Sequence, residues 1–215
     1  MTTLNQIALT CPICSATFDT TAVVSTNLLG TRTDFHEWAE GTQPLAFLVH
    51  TCSTCGYSGC ERDFADDFVP EPAVKAHVWD ELAPRLASER LTGSDKFEFA
   101  AKIARWQSAD SRHVANLFLR AAWCCVDEAD VEAERYFRRH AAWSFEQALA
   151  SNEVEPDERA LLTYLVGELW RRIGDTARAR EWFDRVASEV THPKDQKWVL
   201  RAARQQRDTP REWFW

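Results

Sequence analysis

Hydrophobic positions follow two different rhythms along the chain. Up to about residue 70 they come in short runs: Gln6 to Leu9 leads into Cys-Pro-Ile-Cys, Phe18 to Val24 mixes β-branched and apolar residues, and Leu45 to Val49 runs into a second cysteine pair. Runs of this length, bounded by turn residues, predict short strands and loops. Between them Thr31 to Pro44 is polar and punctuated by Gly41 and Pro44, which predicts a surface loop or a short helix. From Pro70 onward the apolar residues recur with a helical period.

That second rhythm predicts a succession of helices. Pro72 and Pro84 bracket a first one carrying Val74, Val78, Trp79 and Leu82, with a bend expected at Pro84, where a backbone donor is missing. Ser94 reads as the N-cap of a helix through Trp106, with Phe97, Ala100, Ala101 and Ala104 as its buried stripe. Further helices are expected over Ser111 to Val126, Val131 to Ser151, Pro156 to Ile173 (closed by Gly174), Thr176 to Val190, and Pro193 to Gln206. The pattern places a domain boundary between residues 69 and 70. It predicts a mainly α protein, a small β-rich module (1–69) followed by a TPR-like antiparallel helical-repeat domain (70–215). Gly167, Ala179 and Phe183 fall on the TPR register, and Leu117, Ala121, Cys124, Ala133 and Phe137 form a looser earlier copy.

Composition narrows the class. In 215 residues, 45% are apolar, as in ordinary globular proteins, but ten are tryptophans, which predicts large aromatic anchors between helices. No basic region precedes an apolar run at the N-terminus, and no stretch of about 18 apolar residues occurs, so a soluble cytoplasmic protein without a membrane span is expected. The net charge of −8 is uneven: up to Asp67 two arginines face eight acidic residues, whereas from Arg171 onward eleven basic residues face seven acidic ones. Binding phosphates needs cations that this N-terminal part does not have, so nucleic acid is not expected as its partner.

The seven cysteines carry the chemistry. Cys11 and Cys14, and Cys52 and Cys55, form two C-x-x-C pairs. Each pair can present two thiolates to one ion across a tight turn, and two such knuckles supply the four ligands of a structural Zn²⁺ site. Gly56 directly follows the last ligand and can take positive φ freely, whereas Ser15 holds that place in the first knuckle. The 37 residues between Cys14 and Cys52 exceed the roughly 15 to 20 of the common pattern. Cys60, His36 and His50 are rivals for a ligand position; otherwise His36 reads as a solvated loop histidine and Cys60 as a small hydrophobe. Cys124 and Cys125, beside Ala122 and Trp123, read as buried and inert.

Both halves resemble an uncharacterised bacterial family, a domain-of-unknown-function family joining an N-terminal zinc ribbon to C-terminal TPR-like helices. The resemblance rests on Cys11 to Cys14, Asp34-Phe35 followed by Pro44-Leu45, Cys52 to Tyr57, Arg120 to Trp123, Tyr164 to Asp175, and Trp182-Phe183. Ser53 and Ser58 stand where that family usually has Pro and Ala. The resemblance implies the architecture and the metal, and no activity.

A closed four-thiolate site has no open coordination position, and the chain lacks H-E-x-x-H, the H-x-E with P-C-x-x-C of deaminases, and a Gly-rich phosphate loop. The expectation is therefore a non-enzymatic adaptor that binds a protein or peptide. Rival readings are a rubredoxin-like iron or redox protein and a nucleic-acid-associated regulator. Trp213 to Trp215 should be docked, either as an intramolecular cap or in a second chain to give a homodimer. Trp170 and Arg171 are candidates for partner contact.

Overall fold

The computed structural model describes residues 1–65, 70–86 and 91–214. Small antiparallel strand pairs come first: β1 (Thr3–Thr10) with β2 (Thr17–Ser25), β3 (Leu28–Thr31) with β4 (Glu37–Ala39), and β5 (His50–Thr51) with β6 (Ser58–Gly59). Because Thr10 pairs with Thr17, the first cysteine pair sits at the tip of the β1–β2 hairpin. The helices follow as α1 (Pro72–His77), α2 (Ala83–Leu86), α3 (Gly93–Trp106), α4 (Ser111–Glu128), α5 (Val131–Ala150), α6 (Arg159–Ile173), α7 (Thr176–Arg185) and α8 (Lys197–Asp208). The protein is mainly helical, with small strand pairs at its N-terminal end.

Several local expectations need correction. Leu45 to Val49 is not a strand but a single 3₁₀ turn, Leu45–Phe47, with Leu45 and Val49 buried in the helical core. Thr31 to Pro44 is neither an exposed loop nor a helix: it holds the β3–β4 turn, where Thr33, Asp34 and His36 are buried. Ahead of Pro84, a π turn over Val78–Leu82 joins α1 to α2. A widened turn is a way for a helix to pass a residue that cannot donate its N–H. The N-cap of α3 is Thr92, which accepts from the Asp95 N–H while Asp95 accepts from the Thr92 N–H; Ser94 Oγ instead donates to Glu128 Oε2 at 2.7 Å. Pro156 lies in a turn before α6, and a 3₁₀ segment, Val186–Glu189, ends the α7 helix early.

Two apolar clusters share α3 between them. Phe97, Ala100 and Ala104 face the larger one, which runs through α4 to α8 and includes Phe118, Phe145, Tyr164, Leu169 and Phe183. Phe99 and Ile103 face the smaller one, where Val74, Val78 and Leu82 pack with Cys11, Cys52, Cys55, Tyr57 and Phe64. The expected division between residues 69 and 70 adjoins 66–69, which lie outside the described residues. Both clusters draw on residues from either side of it.

A buried charge network ties the β3–β4 turn to the helices. Asp34 is fully buried and accepts from Arg138 Nη1 at 2.7 Å and Trp123 Nε1 at 3.2 Å, with Arg172 Nε at 3.6 Å. Arg138, also without solvent contact, donates through Nε to Glu134. Burial opposes ionisation of Asp34, but the Arg138 and Arg172 guanidinium groups prevail and hold its carboxyl well below the usual range. Thr33 Oγ1 donates to Glu168 at 2.6 Å, and Tyr164 donates its hydroxyl proton to the Thr33 carbonyl at 2.8 Å.

The chain after α8 returns to this turn. Gln206 closes the reversal by bonding both the N–H and the carbonyl of Arg211. The Thr33 N–H donates to the Glu212 carbonyl at 3.0 Å and the Phe214 N–H to the Thr31 carbonyl at 3.3 Å, so the segment lies along the end of β3. Arg32, Arg171 and Arg172 grip the Glu212 carboxylate. The Phe214 ring sits among Phe35, Tyr164 and Trp198, and Trp213 meets Trp38. Trp213 and Phe214 thus dock within their own chain, while Trp215 lies outside the described residues. Arg171 is held by Glu168 and Glu212, and Trp170 is buried beneath the Arg178 guanidinium at 4.0 Å, so neither is free for the partner contact expected of it.

Candidate metal centre

The two cysteine knuckles are built alike. In the first, the Ser15 N–H donates to the Cys11 carbonyl and the Cys11 N–H to the Ala16 carbonyl; in the second, the Gly56 N–H donates to the Cys52 carbonyl and the Cys52 N–H to the Tyr57 carbonyl. Each turn closes through a residue in the left-handed region, Ser15 at φ 60 and Gly56 at φ 82. Glycine meets that requirement without strain, and a side chain at 56 would also meet Leu82, since an added Cβ would lie 3.0 Å from Leu82 Cβ. Serine in the first knuckle carries the conformational cost expected of a non-glycine residue.

The folding of the hairpins brings all four sulfurs together. Cys11 Sγ lies 3.5 Å from Cys55 Sγ and Cys14 Sγ 3.6 Å from Cys52 Sγ, and the four ligand atoms lie within 4.8 Å of one another. A tetrahedron of sulfurs around Zn²⁺ at ~2.3 Å has edges of about 3.8 Å, so the cluster has the size of a closed four-thiolate site. Cys11, Cys52 and Cys55 are buried and Cys14 is half-buried, which leaves little room for water as a further ligand. The Thr54 N–H points at Cys52 Sγ at 3.4 Å, a contact that favours thiolate. Hydrogen bonding within the cluster pulls the Cys52 thiol down and pushes Cys11 up to about 12, since adjacent sulfurs disfavour one another's negative charge.

The rivals for ligation are elsewhere. His50 Nδ1 pairs with Thr20 Oγ1 at 3.0 Å. Cys60 Sγ donates to Asp63 Oδ2 at 2.9 Å. His36 is not a solvated loop histidine: it is buried, its ring is stacked on Trp123 at 5.6 Å, and burial pushes its pKa down to about 4. Cys124 and Cys125 are buried, and burial pushes both thiols upward.

Sequence reasoning found the sulfurs but missed the setting of Thr33, Asp34, Arg138 and Glu168. Asp34-Phe35 stood out only as part of a resemblance. Asp34 and Arg138, and Thr33 and Glu168, lie more than a hundred positions apart, and no local spacing encodes those pairings.

Among the described residues no helix is long and apolar enough to cross a membrane. A family model described as an uncharacterized protein conserved in bacteria, DUF2225, matches residues 4–210. No curated protein and no solved structure gives a significant match.

Proposed function

The chain belongs to the DUF2225 family of bacterial proteins, and we propose that it is a zinc-stapled adaptor, in which a structural ion clamps two hairpins to a TPR-like helical surface that binds a protein or peptide. The observation that carries the metal part is the four-sulfur cluster, closed by two matching knuckles and buried on its inner side. Four thiolates leave no coordination position for a substrate, so the ion's role is to fold the segment.

The repeat reading is supported by the way the helices are joined. α4 and α5 are separated by Ala129 and Asp130, α6 and α7 by Gly174 and Asp175, and connections this short make adjacent helices fold back on each other. At the α6–α7 crossing a Cβ added to Gly167 would lie 2.7 Å from the Phe183 ring and 3.3 Å from the Ala179 carbonyl. The three residues on the repeat register therefore meet at one close approach. The acidic N-terminal part weighs against nucleic acid, and no catalytic role is proposed.

Elemental analysis of protein purified without chelators, read together with its visible spectrum, tests the metal part. One zinc per chain and no colour is expected; one iron with a visible thiolate band would replace the adaptor by a rubredoxin-like redox protein. Affinity capture from a bacterial extract tests the partner class, and recovery of nucleic acid in place of protein would reject it.

A further inference from the structure

A cavity of about 370 Å³ lies where the second knuckle meets α3 and α4. Its size falls within the range of small-molecule pockets. One wall is a stripe of α3 with its C-cap, Ala100, Ile103, Ala104 and Gln107; the facing wall is a stripe of α4, His113, Asn116, Leu117 and Arg120. Both have the i, i+3, i+4, i+7 spacing that puts four residues on one helix face. Residues of the segment Tyr57 to Asp63, which follows Cys55 after Gly56, close the third side.

The chemistry of the lining is asymmetric. Val49, Phe97, Ala100, Ile103 and Ala104 are buried and make an apolar floor, and the small alanines are what leave the space open. Polar groups lie around that floor. Among the described residues, the side chains of Gln107, His113 and Arg120 have no hydrogen-bond or ion-pair partner, and Arg62, a second cation, is 3.8 Å from Asp63 Oδ1. Asp63 is the acidic residue of the lining, and its Oδ2 is already committed to the Cys60 N–H at 2.8 Å and the Cys60 thiol at 2.9 Å. The cavity therefore offers an apolar floor, spare donors and a surplus of positive charge.

We propose that this cavity is a binding site for a small amphipathic anion, a molecule with a compact ring system for the floor and a carboxylate, sulfonate or phosphate for Arg62 and Arg120. Anion binding here requires neither the adaptor reading nor a particular ion at the sulfurs. Because one wall belongs to the knuckle, bound ligand and bound metal stabilise the same segment.

Fluorescence titration of the full metal-loaded chain with 8-anilinonaphthalene-1-sulfonate tests it. One saturable site per chain is expected, weakened ~10-fold by Arg120→Glu, which places a repelling charge at an exposed position that supports no partner. Ala104→Leu fills the floor and should remove binding. The uncharged N-phenyl-1-naphthylamine should bind more weakly and be indifferent to Arg120→Glu. Unchanged sulfonate affinity in an Arg120→Glu protein with native near-UV circular dichroism would overturn the proposal, as would equal affinity for the uncharged probe or binding that never saturates.

Discussion

Arg138 has no contact with solvent, and its charge is answered by Asp34 and Glu134. Asp34→Asn should therefore destabilise the protein by about 3–5 kcal/mol, because it strands part of a buried guanidinium, and that is a large share of a typical stability of roughly 5–15 kcal/mol. Urea denaturation of Asp34→Asn, Arg138→Met and the double variant measures this, with the double variant expected to lose less than the two singles added together. Acid acts on this carboxyl in the usual direction: its depressed pKa contributes stability above the unfolded value that is lost as pH falls toward the folded one. Asp127 acts oppositely. Burial, and then the neighbouring Glu128, raise its pKa to about 6, so its contribution is fully present below the unfolded value near 3.8 and lost as pH rises through about 6. Asp127→Asn should accordingly stabilise the fold by about 1–3 kcal/mol at pH 7 and by almost nothing near pH 4, and a pH series of thermal melts reads the difference. At this scale the sequence was legible where chemistry is local. Cys11 and Cys14 advertise themselves by three-residue spacing, whereas Asp34 and His36 looked like solvated loop residues because their partners, Arg138, Trp123 and Asp127, come from distant helices.

Among the elements, α3 is the one that gives residues both to the cluster around the candidate metal centre and to the larger helical core. Its Phe99 and Ile103 pack in the same cluster as Cys11, Cys52 and Cys55, together with Val74, Val78 and Leu82 from the α1–α2 segment. Removal of the ion by a chelator should therefore open more than the knuckles. Hydrogen exchange is expected to rise over β5, β6 and residues 72–86 and to stay slow in α4 to α6, which rest on the larger cluster. Uniform collapse of all helices, or no change beyond the cysteine turns, would contradict this division of the core. Helix existence could be read from period alone for α3 to α7, since their apolar stripes are long. Their ends could not: Thr92 and not Ser94 is the cap of α3, and Ser94 is engaged instead by Glu128, a residue of the next helix. The π turn before Pro84 was equally hidden, because the sequence marks where a donor is missing and not how the chain makes room for it.

For the molecule as a whole, the segment after α8 closes the network that begins at β3. A chain ending at Pro210 loses the three-arginine grip on Glu212 and uncovers Phe35, Tyr164 and Trp198. Such a chain should melt several degrees lower and exchange the Thr33 amide quickly, while its sedimentation coefficient stays that of the full chain at the same concentration. A change in the mass of the assembly would place these aromatics between copies instead. The division into a strand-rich start and a helical remainder was legible in the change of hydrophobic rhythm at residue 70. The return of the C-terminus was signalled only by an aromatic cluster needing cover, and its destination was not encoded in any pattern near it. Its position also imposes a timetable on synthesis. Thr33 and Glu212 are 179 positions apart, so at roughly 5–20 residues per second a ribosome needs about 10–35 s between delivering one and the other. Throughout that interval the nascent β3–β4 turn, with the ionised Asp34 and the Phe35 ring, has no finished pocket to enter. Its burial has to wait for the last residues of the chain to arrive.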